Sequence, residues 1–247
     1  PTLSLFKTAI GNYYLPADVE KDVIVNEMKS GRVFEPEIVE VAKQYITEGS
    51  TVLDVGANFG QMTLFFSQFV GEKGRVLSFE ADNFSFSVLE KNIAANSRTN
   101  IMPICKAVYD KSGEIMFYPV PDFKRFSSYG SYGLDPNAKQ GRKVETIAID
   151  SLNIQSPISF MKVDVQGSDL FVLRGAVETI KRHQMPIIFE YEEQFQAEFK
   201  TSWNDYLKLI ESIDYKVERV INNMNYLIVH KNKKGFTVGI PNVTSLN

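Results

Sequence analysis

Two acidic residues, Asp54 and Glu80, each follow or end an apolar run with the composition of a buried strand. Gly56 and Gly60 bracket a short turn directly after Asp54, and glycine lets the backbone approach a ligand where a Cβ atom would collide. An acid some twenty residues beyond such a turn is the usual clamp for a ribose diol. The turn and the two acids therefore predict a binding site for a nucleoside.

The details of the turn narrow the choice of nucleoside. The dinucleotide pattern G-x-G-x-x-G is absent because Asn58 occupies the place of its second glycine, and the phosphate-loop pattern is absent as well. Asp54 would repel a pyrophosphate but suits a ligand that carries an ammonium group, which favours S-adenosylmethionine. The alternative is an unspecialised strand, loop and helix of an α/β domain. The residues that we predict to contact the cofactor are Asp54, Gly56, Ala57, Asn58, Phe59, Gly60, Glu80, Ala81, Asp82, Asn83, Ala107 and Val108.

Alternating strands and helices would position these residues. The sequence predicts strands at 51–55, 75–80, 100–108, 114–120, 143–149, 158–165 and 186–190, and helices at 35–46, 61–70, 83–96, 168–182 and 203–213. The strands at 100–108 and 114–120 could pair as a hairpin, and residues 215–220 and 226–230 would form a closing one. This alternation is typical of an α/β fold with a mainly parallel sheet and helices on both faces. Asp82 and Asn83 could equally serve only to cap a helix.

The chain divides into three predicted parts. Residues 1–33 form an N-terminal cap segment, residues 34–231 the main domain, and residues 232–247 a loose tail. Within the domain, residues 121–142 are rich in Pro, Gly, Ser and Tyr, and we predict a flap over the active site. The alternative for this segment is a disordered surface insertion. The flap residues predicted to contact an acceptor are Ser128, Tyr129 and Tyr132.

Composition limits the functional classes. The chain has 247 residues, of which 44% are hydrophobic and 23% charged, as in ordinary soluble globular proteins. The formal net charge of −3 gives no overall basic field, so we expect no nucleic-acid partner. The single cysteine, Cys105, is predicted to be a buried structural thiol in a cytoplasmic protein. No apolar run approaches membrane-spanning length. Pro1 is not a native start. The sequence leaves open whether the protein forms a homo-oligomer.

Three stretches of the chain resemble the FkbM-type S-adenosylmethionine-dependent methyltransferases. These are residues 54–60, 76–80 and 160–176, and the resemblance extends from about residue 34 to residue 231. The last stretch looks like the family pattern K-[IV]-D-V-E-G-x-E-x-x-V-L-x-G-A, with Gln166 and Asp169 where the family usually has Glu. The resemblance implies a Rossmann-like class I methyltransferase with a seven-stranded sheet. It also implies methylation of a hydroxyl, on a sugar in a glycan, nucleotide-sugar or glycosylated metabolite.

Methyl transfer to a hydroxyl needs help in removing the acceptor proton. Asp164 and Glu190 end two later strands, where ligands of open α/β sheets bind, and we predict that they handle the acceptor. Lys162 lies on the same strand face as Asp164 and could hold it ionised, or could merely be a buried lysine with an acidic partner. Gln166 is predicted to contact the substrate. The same acids could instead bind Mg²⁺ or Mn²⁺, an alternative that we favour less.

Two other functions compete with sugar O-methylation. A nucleic-acid methyltransferase is disfavoured by the acidic charge balance and by the absence of an N-P-P-Y-type tetrad. A catalytically silent S-adenosylmethionine-binding module stays open because Gln166 departs from the family pattern.

Overall fold

The computed structural model describes residues 2–120 and 128–233. In chain order the elements are β1 (Leu3–Thr8), β2 (Gly11–Pro16), α1 (Val23–Lys29), α2 (Pro36–Tyr45), β3 (Thr51–Val55), α3 (Gln61–Val70), β4 (Arg75–Phe79), α4 (Asn83–Ala95), β5 (Ile101–Ile104), β6 (Ala107–Val108), β7 (Ile115–Tyr118), β8 (Arg142–Ile147), β9 (Ile158–Val163), α5 (Asp169–Arg174), α6 (Val177–His183), β10 (Ile187–Glu190), α7 (Glu193–Phe199), α8 (Trp203–Ser212), β11 (Tyr215–Ile221) and β12 (Asn225–His230). Short 3₁₀ helices span Tyr129–Ser131 and Ile149–Leu152.

The central sheet has seven strands in the order β11-β12-β10-β9-β3-β4-β5. The strands from β10 to β5 pair in parallel, whereas β12 runs antiparallel to both β10 and β11. This arrangement confirms the predicted class I methyltransferase fold with its closing hairpin. The chain leaves β3 toward β4 on one side and returns to β9 on the other, so the topological switch point lies between β3 and β9, where open α/β sheets bind ligands.

Burial on both faces explains the near-continuous apolar composition of the parallel strands. All five residues of β3 are buried, and they alternate between the two faces of the sheet. Leu53 and Val55 pack into the larger core with α5 and α8, and Val52 packs with α2 and α3 on the opposite face. The switch point is therefore held rigidly between two helical layers.

The predicted N-terminal cap segment contains a two-stranded hairpin of β1 and β2, followed by α1. The Asn96 side chain fixes the hairpin to α4, because its Oδ1 accepts from the backbone N–H of Asn12 at 2.9 Å and its amide donates back to the Asn12 carbonyl at 2.7 Å. Tyr13 and Leu15 are fully buried against this layer. The segment thereby brings α1 to the rim of the sheet.

Strand pairing next to β5 differs from the prediction. The stretch predicted as one strand is divided into β5 and β6, and Cys105 lies between them. The prediction of a buried thiol is wrong: Cys105 is exposed, and its Sγ donates to the Asn83 Oδ1 at 3.2 Å. The predicted hairpin with residues 114–120 is also wrong, because β6 and β7 both pair with β8 in a separate three-stranded sheet.

The predicted helix at 168–182 is divided into α5 and α6 at Gly175. A Cβ atom at this position would collide with the carbonyl oxygen of Tyr109, so the break brings the chain against the segment that follows β6. Of the predicted flap, residues 128–142 are described and residues 121–127 lie outside the described part; the predicted tail lies outside it from residue 234 onward. None of the helices in the described ranges has the length and apolar content that crossing a membrane requires.

Candidate active site

A cavity of about 370 Å³ opens at the carboxyl ends of the central strands, at the switch point of the sheet. Val55 of β3, Glu80 after β4, Asp164 after β9 and Glu190 at the end of β10 all line it. The N-terminal segment and residues 128–134 cover the cavity from the other side. Four strand ends and a cover therefore meet around one concave space, within the size range of small-molecule sites.

The glycine turn after β3 forms the floor of this cavity. Gly56 has a φ of +85°, and its N–H donates to the Phe79 carbonyl at 2.9 Å. Asn58 has a φ of +50°, and its N–H donates to the Glu80 carboxylate at 2.7 Å. A Cβ atom on residue 56 would collide with the carbonyl oxygen of Asp164. The turn therefore joins β3, β4 and β9 by backbone contacts that only glycine at position 56 permits.

The Glu80 side chain is oriented by the backbone around it. One carboxylate oxygen accepts from the Asn58 N–H, and the other accepts from the Asp82 N–H at 2.8 Å. Burial, together with the nearby carboxylates of Asp164 and Asp54, raises the pKa of Glu80 to about 7, although the two N–H donors oppose the shift. A buried carboxylate in this fixed orientation can bind the two hydroxyls of a ribose.

We expect Glu80→Gln to flatten the pH dependence of stability. Because the folded-state pKa of Glu80 is raised from 4.5 to about 7, its stabilising contribution is complete below pH 4.5 and is lost as the pH rises through 7. In the wild type, this effect of Glu80 lowers the free energy of unfolding by about 3 kcal/mol as the pH rises over this range. Denaturant unfolding of the ligand-free protein between about pH 4.5 and pH 8 measures it. Glu90→Gln, on an exposed position of α4, should keep the wild-type slope, and an unchanged slope in Glu80→Gln would contradict the assignment.

The structure places Asp54 beneath the turn, where it lines neither this cavity nor the smaller one beside it. Its carboxylate is fully buried and accepts from the Thr63 hydroxyl at 2.5 Å, and that hydroxyl lies 2.6 Å from the Ser78 hydroxyl. Burial raises the pKa of Asp54, whereas the charge of Lys162 opposes the shift. In this structure Asp54 therefore lies below the cavity and is hydrogen-bonded to α3.

The other residues predicted to contact the cofactor fall into three groups. Ala81, Ala107 and Val108 line the main cavity, and Ala57, Phe59 and Gly60 line an adjoining cavity of about 50 Å³; Gly56 and Asn58 line both. Asp82 caps α4 by accepting from the Ser85 N–H at 2.9 Å and forms an ion pair with Arg142. Asn83 is exposed beside Cys105. For Asp82 the structure shows the alternative role as a helix cap.

The predicted catalytic residues lie close together: Asp164 and Glu190 line the main cavity, and the buried Lys162 lines the adjoining cavity of about 50 Å³. The Lys162 Nζ lies 3.2 Å from one carboxylate oxygen of Asp164. The Gln166 amide nitrogen donates to the other Asp164 oxygen at 3.1 Å and to Glu190 at 2.8 Å. Although burial alone lowers the pKa of Lys162, the carboxylates of Asp164, Asp54 and Glu35 raise it above its ordinary value. Lys162 therefore stays charged and pairs with Asp164.

Glu190 lies in an environment that disfavours its charged form. Burial raises its pKa well above the ordinary value, and the neighbouring carboxylates of Asp164 and Asp169 raise it further. Asp169 lies behind it, fully buried, and accepts from the Glu190 backbone N–H at 3.2 Å. Burial also raises the pKa of Asp169 to about 7. The wall therefore presents one ion-paired carboxylate beside one carboxyl group that favours its protonated form.

The predicted substrate residues Ser128, Tyr129, Tyr132 and Gln166 all line the main cavity. The Tyr129 ring packs against Phe84 with centroids 5.1 Å apart, and its N–H donates to the buried Asp22 carboxylate at 2.8 Å. The Tyr132 carbonyl accepts from the Tyr118 hydroxyl. These contacts hold Tyr129 and Tyr132 over the cavity.

Sequence reasoning missed several lining residues, among them Glu35, Ser85, Lys106 and Tyr118. Glu35 precedes Pro36 at the start of α2, and the sequence pattern alone indicated only a helix beginning. A left-handed acidic residue directly before a proline would have indicated a functional position. The left-handed backbone of Glu35, with a φ of +53°, is visible only in the structure. Within residues 2–120 and 128–233, no group of three or more His, Cys, Asp and Glu side chains has an arrangement that could hold a metal ion.

Known proteins resemble this chain in sequence and in structure. The family model described as "Methyltransferase FkbM domain" matches residues 54–217. No curated protein sequence matches the chain.

Three solved structures are among those similar to the chain. The methyltransferase FkbM from Methylobacillus flagellatus KT is 16% identical with a TM-score of 0.48, covering 83% of this chain and 52% of that one. A SAM dependent methyltransferase from Aquifex aeolicus is 18% identical with a TM-score of 0.44, covering 84% and 92%. An rRNA methylase from Streptococcus thermophilus is 9% identical with a TM-score of 0.46, covering 78% and 92%.

Proposed function

Because this chain belongs to the FkbM methyltransferase family and uses S-adenosylmethionine, we propose that it transfers the methyl group to a hydroxyl of a sugar. The observation that carries the proposal is the pairing of Asp164 and Glu190 across the Gln166 amide on one cavity wall. Carboxyl and amide groups in this arrangement can bind the hydroxyl groups of a carbohydrate and remove one proton.

The cavity has the features that the cofactor requires. The Glu80 carboxylate, fixed by two N–H donors, suits the ribose diol, and Ala107 and Val108 offer an apolar wall for the adenine. The Gly56 turn allows close approach of the backbone to the methionine end. When bound, the cofactor supplies a methyl group on a positively charged sulfur, ready for in-line displacement.

Asp164 and Glu190 have different roles toward the acceptor. Asp164, paired with Lys162, accepts the proton of the attacking hydroxyl. Glu190, whose raised pKa favours the protonated form, donates a hydrogen bond to a neighbouring sugar oxygen. Gln166 spaces the two groups by donating to both, which keeps them at a distance set by one amide nitrogen. Positioning of the hydroxyl behind the methyl group supplies much of the rate.

The charge of the cavity favours a carbohydrate over a nucleic acid. Five acidic side chains line it, namely Glu35, Glu80, Asp164, Glu190 and Glu192, and those that are ionised would repel a chain of phosphates. Of the cationic side chains, Lys106 lines the main cavity, but it already pairs with Glu145 at 2.7 Å. A neutral polyhydroxyl compound carries no such penalty.

A panel of acceptors tests the proposal. Purified protein is incubated with S-adenosylmethionine and with glycans, nucleotide-sugars, glycosylated metabolites or ribosomal RNA, and release of S-adenosylhomocysteine is measured. We expect turnover with at least one carbohydrate and none with RNA. Turnover with RNA alone would support the competing nucleic-acid function, and binding of the cofactor without any turnover would support a silent binding module.

A further inference from the structure

The adjoining cavity of about 50 Å³ beside the glycine turn is lined by groups of both charge signs. Its positive groups are the Lys162 ammonium and the N-terminus of α3, a ten-residue helix whose first residues offer free N–H groups. Its negative groups are the carboxylate of Asp164, which pairs with Lys162 at 3.2 Å, and the carboxylate of Glu35. Such an environment complements a zwitterion, which carries an ammonium and a carboxylate on one carbon.

Glu35 is held in an unusual way for a residue that starts a helix. Its backbone is left-handed directly before Pro36, and its side chain makes no hydrogen bond to the N–H groups of α2. Instead, Oε1 accepts from the Asn222 amide at 3.0 Å and from the Asn225 amide at 3.1 Å. Both asparagines belong to the β11–β12 hairpin. The strained backbone and the two amides therefore fix this carboxylate at the edge of both cavities.

One oxygen of Glu35 is still available to a ligand. Among the described residues, Oε2 of Glu35 has no hydrogen-bond partner. The charge of Asp164 is already compensated by the Lys162 ammonium at 3.2 Å, and its other oxygen accepts from the Gln166 amide at 3.1 Å. Asp54, the acid that the sequence favoured for an ammonium group, does not reach either cavity.

We propose that Glu35 binds the α-ammonium group at the methionine end of S-adenosylmethionine, with Asn222 and Asn225 positioning its carboxylate. Burial and the Asp164 charge raise the pKa of Glu35, and a bound cation offsets both effects. Glu35, Asn222 and Asn225 all lie outside residues 54–217, so the start of α2 and the closing hairpin complete the cofactor site of the family domain. The inference does not depend on the identity of the acceptor.

Calorimetric binding with three probes tests the inference in Glu35→Gln, which keeps a carbonyl oxygen for the two asparagines. The probes are S-adenosylhomocysteine, its deamino analogue and 5′-methylthioadenosine, which lacks the amino-acid end. We expect S-adenosylhomocysteine to bind about ten- to a hundredfold more weakly than to the wild type, because a charge-assisted hydrogen bond is lost. For each of the other two probes, the dissociation constants of the variant and the wild type should agree within about twofold.

A matched control is Glu37→Gln, which removes an exposed acid from the first turn of the same helix and should change none of the three affinities. Equal weakening of all three probes in Glu35→Gln would overturn the inference, since it would indicate a general distortion of the site. Unchanged affinity for S-adenosylhomocysteine would overturn it as well. If Glu35→Gln does not fold, Asn222→Ala provides the second variant, and the same selective weakening for S-adenosylhomocysteine is expected.

Discussion

Replacing Asp164 by Asn is expected to lower the rate constant of methyl transfer by about a hundredfold or more, the range of general base catalysis. The dissociation constant of S-adenosylhomocysteine should stay within about threefold of the wild-type value. The reason is that Asp164 is the ion-paired carboxylate of the catalytic wall, with Lys162 3.2 Å away, while the protonated form of Glu190 is favoured by burial. Single-turnover rates with an accepted carbohydrate, together with calorimetry, measure both quantities.

The second acid provides the internal comparison. Gln resembles a protonated Glu in shape and can still donate a hydrogen bond, so Glu190→Gln should cost less than about tenfold in the same rate constant. Glu178→Gln, whose side chain is 74% exposed on α6, should match the wild type. A full-rate Asp164→Asn protein, or a larger loss in Glu190→Gln than in Asp164→Asn, would reverse the roles assigned here.

Gly56→Ala is expected to abolish cofactor binding and to destabilise the fold by more than about 4 kcal/mol, an exceptional value for a single substitution. Two effects act together at this position. The φ of +85° is strained for alanine, and the added Cβ atom would collide with the backbone oxygen of Asp164. Because the obstacle is backbone at the end of β9, the strand end itself must shift, and the catalytic wall shifts with it.

Substitutions at two other glycines distinguish the effect of backbone strain from the effect of a colliding Cβ atom. Gly49 has a φ of +80° with open space around its Cβ position, so Gly49→Ala should cost only about 1–2 kcal/mol. Gly60 has a φ of +90°, and its Cβ would lie 2.6 Å from a terminal methyl group of Leu89, which can rotate away. Free energies of unfolding should therefore fall in the order Gly49→Ala, Gly60→Ala, Gly56→Ala. Equal losses in all three would show that backbone strain alone matters at position 56.

The local pattern of the sequence was sufficient to predict the sheet and the strand ends that surround the cavity. Gly56, Glu80, Asp164 and Glu190 stand at strand ends, and parallel strands bring their carboxyl ends to one edge of a sheet. The closing hairpin was predictable for the same reason, since two short apolar runs flank Asn222 and Asn223.

The side on which a strand residue points was harder to predict. Asp54 pairs in register with Ser78 and Lys162, so its side chain points to the sheet face that α3 covers. The Thr63 hydroxyl on that helix then receives the carboxylate. The sequence predicts that an acid ends a strand, but whether the acid can reach a ligand depends on the helix that packs against that face of the sheet.

Contacts between segments that are distant in sequence could not be predicted from the sequence. Glu35 meets Asn222 and Asn225 only because the closing hairpin folds next to the start of α2. The break between α5 and α6 at Gly175 likewise depends on the Tyr109 carbonyl, which a periodic apolar pattern does not reveal. Both features depend on long-range packing, which overrides local propensity.

The central claim, methyl transfer to a sugar hydroxyl, is tested most directly by the atom that receives the methyl group. The protein is incubated with S-adenosylmethionine carrying a ¹³C-labelled methyl group and with the carbohydrate accepted in the panel, and the product is analysed by two-dimensional NMR. We predict a labelled methyl ether at one hydroxyl oxygen of the sugar, formed at least about a hundredfold more slowly by Asp164→Asn. A label on nitrogen or carbon would contradict the claim.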